Sequence, residues 1–182
     1  RTRLVLSAEA GVGKSSLLSS VARALQATES LVLFWDLREV RSADHEGHLA
    51  HWLEINTAFQ EALTTAAQLS PGGLIILADQ YDSVITTQVP RLIRDVARET
   101  QAQITWVVAT RASSQPERDA RKSMVAEGWE HLELHRLSFE AASSALRSLG
   151  IEEPASDLVE ACRTPVHLAA VRALTPEERQ DP

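Results

Sequence analysis

Residues 8–15 read Ala8-Glu9-Ala10-Gly11-Val12-Gly13-Lys14-Ser15. The apolar run Leu4-Val5-Leu6 leads into them, and an amphipathic stretch from Lys14 to Leu25 follows. Strand, glycine-rich loop and helix form the context that the phosphate-binding pattern Gly-x-x-x-x-Gly-Lys-Ser/Thr requires. Gly13, Lys14 and Ser15 match the pattern, and Ala8 stands where its first glycine usually is. Small residues let the backbone wrap a phosphate with successive N–H groups turned inward. The helix that begins there adds its positive N-terminal end. Lys14 is expected to reach the β- and γ-phosphates of a nucleotide, and the Ser15 hydroxyl to ligate magnesium. The expected binding segment is therefore Ala8, Gly11, Val12, Gly13, Lys14, Ser15 and Ser16.

Working outward, apolar runs alternate with longer amphipathic stretches, the pattern of βα units around a parallel sheet. Strands are expected at Arg3–Ser7, Leu31–Asp36, Gly73–Asp79, Gln103–Thr110 and His131–Leu137. Several are continuous apolar runs, as in strands covered on both faces. Helices are expected at Lys14–Leu25, His48–Leu69 and Val89–Glu99, with a loop from Ala112 that turns helical over Arg118–Ala126. After Leu137 the character changes. Ser138 suits the N-cap of a helix that Gly150 ends, and Asp157–Cys162 and Pro165–Leu174 read as two more helices. The expected fold class is α/β, a five-stranded parallel sheet between helices followed by a small helical piece. The expected domains are a nucleotide-binding domain, 1–137, and a helical lid subdomain, 138–182.

Two further strand ends carry chemistry. Leu74-Ile75-Ile76-Leu77-Ala78-Asp79 is an apolar strand ending in a carboxylate, the form of a Walker B element. Asp79 is expected to join Ser15 at magnesium, a hard cation that prefers oxygen ligands. The next position, where many P-loop ATPases place a water-polarising Glu, is Gln80, and an amide cannot take a proton as a carboxylate can. Asp82 is therefore the candidate for activating water. Ile104–Arg111 is the other strand, and ligands of open α/β sheets bind at such C-terminal ends. Arg111 is expected to sense the γ-phosphate. Pro165 either packs on an adenine face or simply starts a helix.

Together these segments resemble the STAND class of ATPases, which includes NACHT and NB-ARC domains. Ala8–Ser15 is similar to their Walker A. Asp79-Gln80-Tyr81-Asp82-Ser83 is similar to the NACHT-type Asp-Gly-x-Asp-Glu, with Ser83 in place of the final Glu. Ala109-Thr110-Arg111 looks like their sensor 1, and Leu132–Gly150 like the entry to their small helical domain. Thr164-Pro165 falls where they carry Gly-x-Pro, whose Pro contacts adenine, although Arg163 stands at the Gly. The resemblance implies an ATP-dependent switch, binding ATP or ADP with Mg²⁺ and hydrolysing slowly, that self-associates through flanking domains. Such proteins serve immunity, phage defence or transcription control. An AAA+-like turnover ATPase and a non-hydrolysing scaffold are the alternatives.

Composition sets bounds on these readings. The 182 residues are 44% hydrophobic and 24% charged, ordinary for a globular chain. A net charge of -7 argues against direct nucleic-acid binding. The single Cys162 forms no intrachain disulfide, which fits a reducing, cytoplasmic setting. No apolar run has the length of a membrane span. The chain opens on Arg1 without a Met, and a fragment of a larger protein is expected. The guanine-reading Asn-Lys-x-Asp of small GTPases is absent. Leu69-Ser70-Pro71-Gly72-Gly73 abuts the acidic strand and reads as a turn rather than an ABC signature.

Overall fold

A computed structural model describes residues 2–39, 59–100 and 103–174. It forms two compact units. One comprises Arg1–Ala8 with Lys14–Glu133; the other comprises Glu9–Gly13 with Leu134–Pro182.

The first unit is a five-stranded sheet with helices packed on it. In chain order it contains β1 (Arg3–Ala8), α1 (Lys14–Leu25), β2 (Leu31–Asp36), α2 (Phe59–Leu69), β3 (Leu74–Asp79), α3 (Val89–Glu99), β4 (Ile104–Arg111) and α4 (Gln115–Ala126). β5 (Glu130–Leu134) follows. Short 3-10 turns at Leu37–Glu39 and Tyr81–Val84 extend β2 and β3. The strand order is β2-β3-β4-β1-β5. Pairing is parallel for β2 with β3, β3 with β4, and β4 with β1.

The apolar strands explain this order. β3 and β4 are buried along nearly their whole length, as central parallel strands must be. Successive side chains alternate between faces. Val5, Ile76, Ala78, Trp106 and Val108 share one face, in a core with Phe59, Leu63, Ile93, Val96, Met124 and Trp129 from the covering helices and the turn before β5. Leu6, Leu77 and Ala109 alternate to the other face and are equally buried, as is Leu18 of α1. Burying each large side chain is worth roughly 1.5–3 kcal/mol, so this two-sided core accounts for the sheet's order.

Two expectations change, and a third is met over the part that is described. The helix expected at His48–Leu69 is present as Phe59–Leu69, and its earlier part lies outside the described residues. The helix expected at Arg118 starts at Gln115 instead, because Ser114-Gln115-Pro116-Glu117 is a capping box. The Ser114 hydroxyl accepts from Glu117 N at 3.4 Å, while Glu117 Oε2 accepts from Ser114 N at 2.6 Å and from Ser113 Oγ at 2.8 Å. The last strand spans Glu130–Leu134 rather than His131–Leu137. Strand pairing ends there because the chain then enters the second unit, where Leu137 N donates to Arg163 O at 2.8 Å. Ser70–Gly73, directly after α2, is a turn, closed by Gly73 N donating to Ser70 O.

The second unit packs α5 (Phe139–Ser148), α6 (Ser156–Cys162) and α7 (Pro165–Ala173) around Ala142, Leu146, Val159 and Cys162. Ser138 caps α5 by accepting from Ala141 N at 3.1 Å. Gly150, at φ 91°, ends it. Cys162 is a core residue, and burial pushes its thiol pKa up. No described helix is long and apolar enough to cross a membrane.

The capping box yields a stability test. Burial pushes the Glu117 carboxyl up, but the hydrogen bonds from Ser114 and Ser113 outweigh it and hold the pKa below the usual range. Ser114→Ala should cost about 1 kcal/mol at neutral pH, measured by urea unfolding. A carboxyl with a lowered folded pKa stabilises above its unfolded pKa, and that contribution is lost as pH falls through the folded value. A Glu117→Gln variant lacks that titration, so the gap between it and wild type should narrow in acid.

Candidate functional site

The glycine-rich loop leaves β1 and enters α1. Ala8 needs no glycine freedom because it is still a strand residue, buried and paired with Arg111. Its carbonyl accepts from Lys14 Nζ at 3.0 Å. Gly11 and Gly13 do need that freedom, at φ 79° and 99°. Val12 between them is buried, and Ser15 and Ser16 follow Lys14 in the first turn of α1, both exposed.

Loop residues 9–13 pack with the second unit. Gly11 O accepts from Val166 N at 3.2 Å. A Cβ on Gly11 would lie 2.9 Å from Val166 Cγ1 and 3.1 Å from Thr164 Cγ2. Pro165 opens α7 and is close to the loop, its Cβ 3.8 Å from where a Gly13 side chain would start. Glu9 accepts from Arg136 at 2.9 Å. Arg163 has φ -60° and ψ -22°, which any residue adopts, so its position requires no glycine. Its guanidinium Nε donates to Leu137 O at 3.0 Å.

In the first unit, strand order brings the acidic and basic ends together. β4 lies between β1 and β3, so their ends are separated by two strand spacings, ~10 Å, with Arg111 between. Asp79 is 3% exposed, and its Oδ1 accepts from Gln80 N at 2.8 Å. Asp82 is drawn to Arg111: its Oδ1 accepts from Arg111 N and its Oδ2 pairs with Arg111 Nε, each at 3.2 Å. Burial lowers the Lys14 ammonium pKa; Asp82 opposes this, Arg111 adds to it, and Asp79 and Glu117 oppose it. Lys14 thus shares one electrostatic neighbourhood with Asp79, Asp82 and Arg111. A partly dehydrated ammonium there is suited to an anion that brings more charge than the surrounding carboxylates.

Two arrangements escaped the sequence reading. Gln80 adopts φ 61° and ψ 38°, the left-handed region, and is the only non-glycine there among the described residues. Its amide Nε2 donates to Ser15 Oγ at 3.5 Å. The available signal was the glycine that NACHT-type sequences carry at this position. Tyr81, next in sequence, anchors the turn in the core, and burial pushes its phenol up to about 12. The second arrangement lies on the other sheet face. The buried Ser7 Oγ is 2.7 Å from His131 Nε2 and accepts from Arg121 Nη1 at 3.3 Å. β1 meets α4 and β5 there across more than a hundred residues, and no local pattern announces the contact.

The donor set suits magnesium. Ser15 offers a hydroxyl and Asp79 a carboxylate, both hard oxygen donors. No group of three or more His, Cys, Asp or Glu side chains placed to hold a metal occurs among the described residues. A magnesium that keeps its waters and binds through one carboxylate, a hydroxyl and substrate phosphates does not require one.

Comparison with known proteins bears on the fold. No family model matches the chain, and no curated protein matches it in sequence. Solved structures do match. A RuvB mutant from Thermotoga maritima superposes with a TM-score of 0.57 at 16% identity, over 94% of this chain and 54% of that one. The Aeropyrum pernix Orc1 protein in complex with DNA superposes with a TM-score of 0.64 at 17% identity, over 94% of this chain and 53% of that one. A second Thermotoga maritima RuvB mutant gives 0.57 at 18% identity. The fold is accordingly the α/β fold of these structures, a five-stranded parallel sheet flanked by helices of the P-loop NTPase type. The chain spans about half the length of these structures.

Gly11 is the loop position with least room. Gly11→Ala demands a positive φ from a residue with a Cβ, which costs roughly 1–2 kcal/mol, and it also displaces Val166. Thermal melts should show destabilisation by at least that amount. Adding Val166→Ala should recover only the part due to the Val166 contact, leaving the Thr164 contact and the backbone part in place.

Proposed function

We propose, taking the P-loop ATPase fold as premise, that this chain binds ATP with magnesium and acts as a nucleotide-dependent switch that hydrolyses slowly. The observation that carries this reading is the meeting of Lys14, Asp79, Asp82 and Arg111 at one end of the sheet, at the start of α1. Lys14 binds the β- and γ-phosphates in this reading, and loop N–H groups with the α1 N-terminus cradle them. Ser15 and Asp79 hold magnesium, which when bound neutralises phosphate charge. Pro165 meets the adenine.

The Arg111–Asp82 pair suggests how nucleotide state is read. Arg111 is half-exposed, and an ion pair of that kind is worth ~1 kcal/mol or less. A γ-phosphate offers the guanidinium two acceptor oxygens and more charge, so it competes well for Arg111. Release of Arg111 frees the Asp82 carboxylate to orient the attacking water. ADP lacks the competing group and leaves the pair intact. The two nucleotides then differ in interaction energy, which any switch requires. Gln80, an amide, offers no base, consistent with slow turnover.

The STAND-like motif order supports signalling, with self-association through flanking domains in the full-length protein. An AAA+-like turnover ATPase is the second reading, favoured by the likeness to RuvB and Orc1. Steady-state ATPase assays separate them: a switch turns over slowly and a motor quickly. The net charge of -7 supports a chain that does not itself bind nucleic acid. One structural neighbour was solved with DNA, so a DNA-binding titration belongs beside the ATPase assay.

Lys14→Ala should weaken ATP binding at least tenfold, about 1.4 kcal/mol, by calorimetry on folded protein. Unchanged affinity would remove the nucleotide reading. Arg111→Ala should lower ATP affinity and leave ADP affinity nearly unchanged. Parallel titrations that weaken equally would place the sensor elsewhere.

A further inference from the structure

Gln80 combines two unusual observations. It is the one described non-glycine residue with a positive φ, 61°, at the position directly after Asp79. A side chain with a Cβ carries a conformational penalty there that glycine would not. Strain of this kind persists where the surroundings impose it, and it collects at functional sites. The surroundings here are specific. Asp79 Oδ1 accepts from Gln80 N at 2.8 Å, Gln80 O accepts from Ser83 Oγ at 2.7 Å, and Tyr81 is locked in the core. These contacts hold the backbone so that the Gln80 amide meets Ser15 Oγ at 3.5 Å. One residue therefore touches both expected magnesium donors, Asp79 through its backbone and Ser15 through its side chain.

We infer that Gln80 is a positioning residue for the magnesium site, orienting the Ser15 hydroxyl as a second-layer partner of the metal; this rests on the ATP–magnesium reading above. A serine hydroxyl has two acceptor lone pairs and one donor hydrogen. When one lone pair faces a cation, the hydroxyl hydrogen needs an acceptor, and a glutamine amide supplies either a donor N–H or an acceptor C=O after rotation. Without metal, the N–H donates to Ser15 Oγ. With metal, the amide carbonyl accepts from the Ser15 hydroxyl. A glutamate at this position would act as a base as well; glutamine keeps the acceptor and gives up proton transfer. The residue is thus placed to tune metal affinity rather than to run hydrolysis. Partners of this kind typically change metal affinity 10- to 100-fold when removed.

The test uses Q80G and Q80N. Glycine removes the amide and the backbone penalty together; asparagine tolerates the left-handed region, but its shorter side chain cannot reach Ser15. ATP binding is measured by calorimetry in EDTA and across a Mg²⁺ series, alongside thermal melts. Both variants should bind ATP in EDTA within twofold of wild type and need about tenfold more Mg²⁺ for half-maximal enhancement. Q80G should melt no lower than wild type. Superimposable Mg²⁺ curves, or tighter Mg²⁺ dependence in the variants, would overturn the inference while leaving the ATP reading standing. A Q80G melt several degrees lower would show that the side chain supports the fold and would also overturn it. Wild-type protein that binds no ATP under any condition would instead sink the nucleotide reading, and the inference with it.

Discussion

The parallel placement of β4 between β1 and β3 is the constraint on which the rest depends. Its register pairs Ala8 with Arg111 on one side and Ala78 with Val108 on the other. Three chain segments far apart in sequence thereby end at one edge. Trp106, wholly buried at the middle of β4, and Ile76 beside it bind that arrangement to the covering helices. Moving β4 to an outer position would expose these side chains at a cost of several kcal/mol. It would also separate Arg111 from Asp82. Core packing and site geometry therefore have one cause.

The site built on that edge combines rigid and labile parts. Asp79 is buried and held by a backbone N–H, so its carboxylate has a fixed direction. The Arg111–Asp82 pair is more exposed and worth little in water, so a charged ligand can redirect it. The loop is intermediate. Gly11 and Gly13 are committed to positive φ, and Gly11 is pressed against Val166, so that loop has few other conformations open to it. In the proposed switch, the fixed groups would provide affinity and the weakly held pair would respond to the difference between two nucleotides.

Local patterns in the sequence reveal structure where one element carries its own signal. The P-loop does, because strand, glycines, Lys14 and helix are contiguous. Ser138 and Gly150 do, as cap and stop for α5. The apolar runs of β3 and β4 do, since double burial removes the need for alternation. Ser114 and Glu117 carried an equally local signal, and the helix start at Gln115 follows directly from it. β5 was harder to bound: Glu130-His131-Leu132-Glu133-Leu134 is an exposed edge, and apolar content does not mark where its pairing stops. The pairing stops because the backbone of Leu137 is engaged by Arg163, 26 residues away.

The sequence by itself determined that a glycine-rich loop of the phosphate-binding pattern joins a strand to a helix in an α/β chain, and that acidic and basic residues close two of its later strands. Such features follow from the chemistry of short contiguous segments, where glycine, lysine and β-branched residues restrict the backbone directly. Only the tertiary structure decided which strand ends meet, because strand order depends on burial summed over the whole sheet. It likewise decided that Gln80, read from sequence only as an amide unable to act as a base, turns through a left-handed backbone onto Ser15. A side chain's direction at such a turn is set by the contacts of its neighbours Asp79, Tyr81 and Ser83, which exist only once β3 is packed.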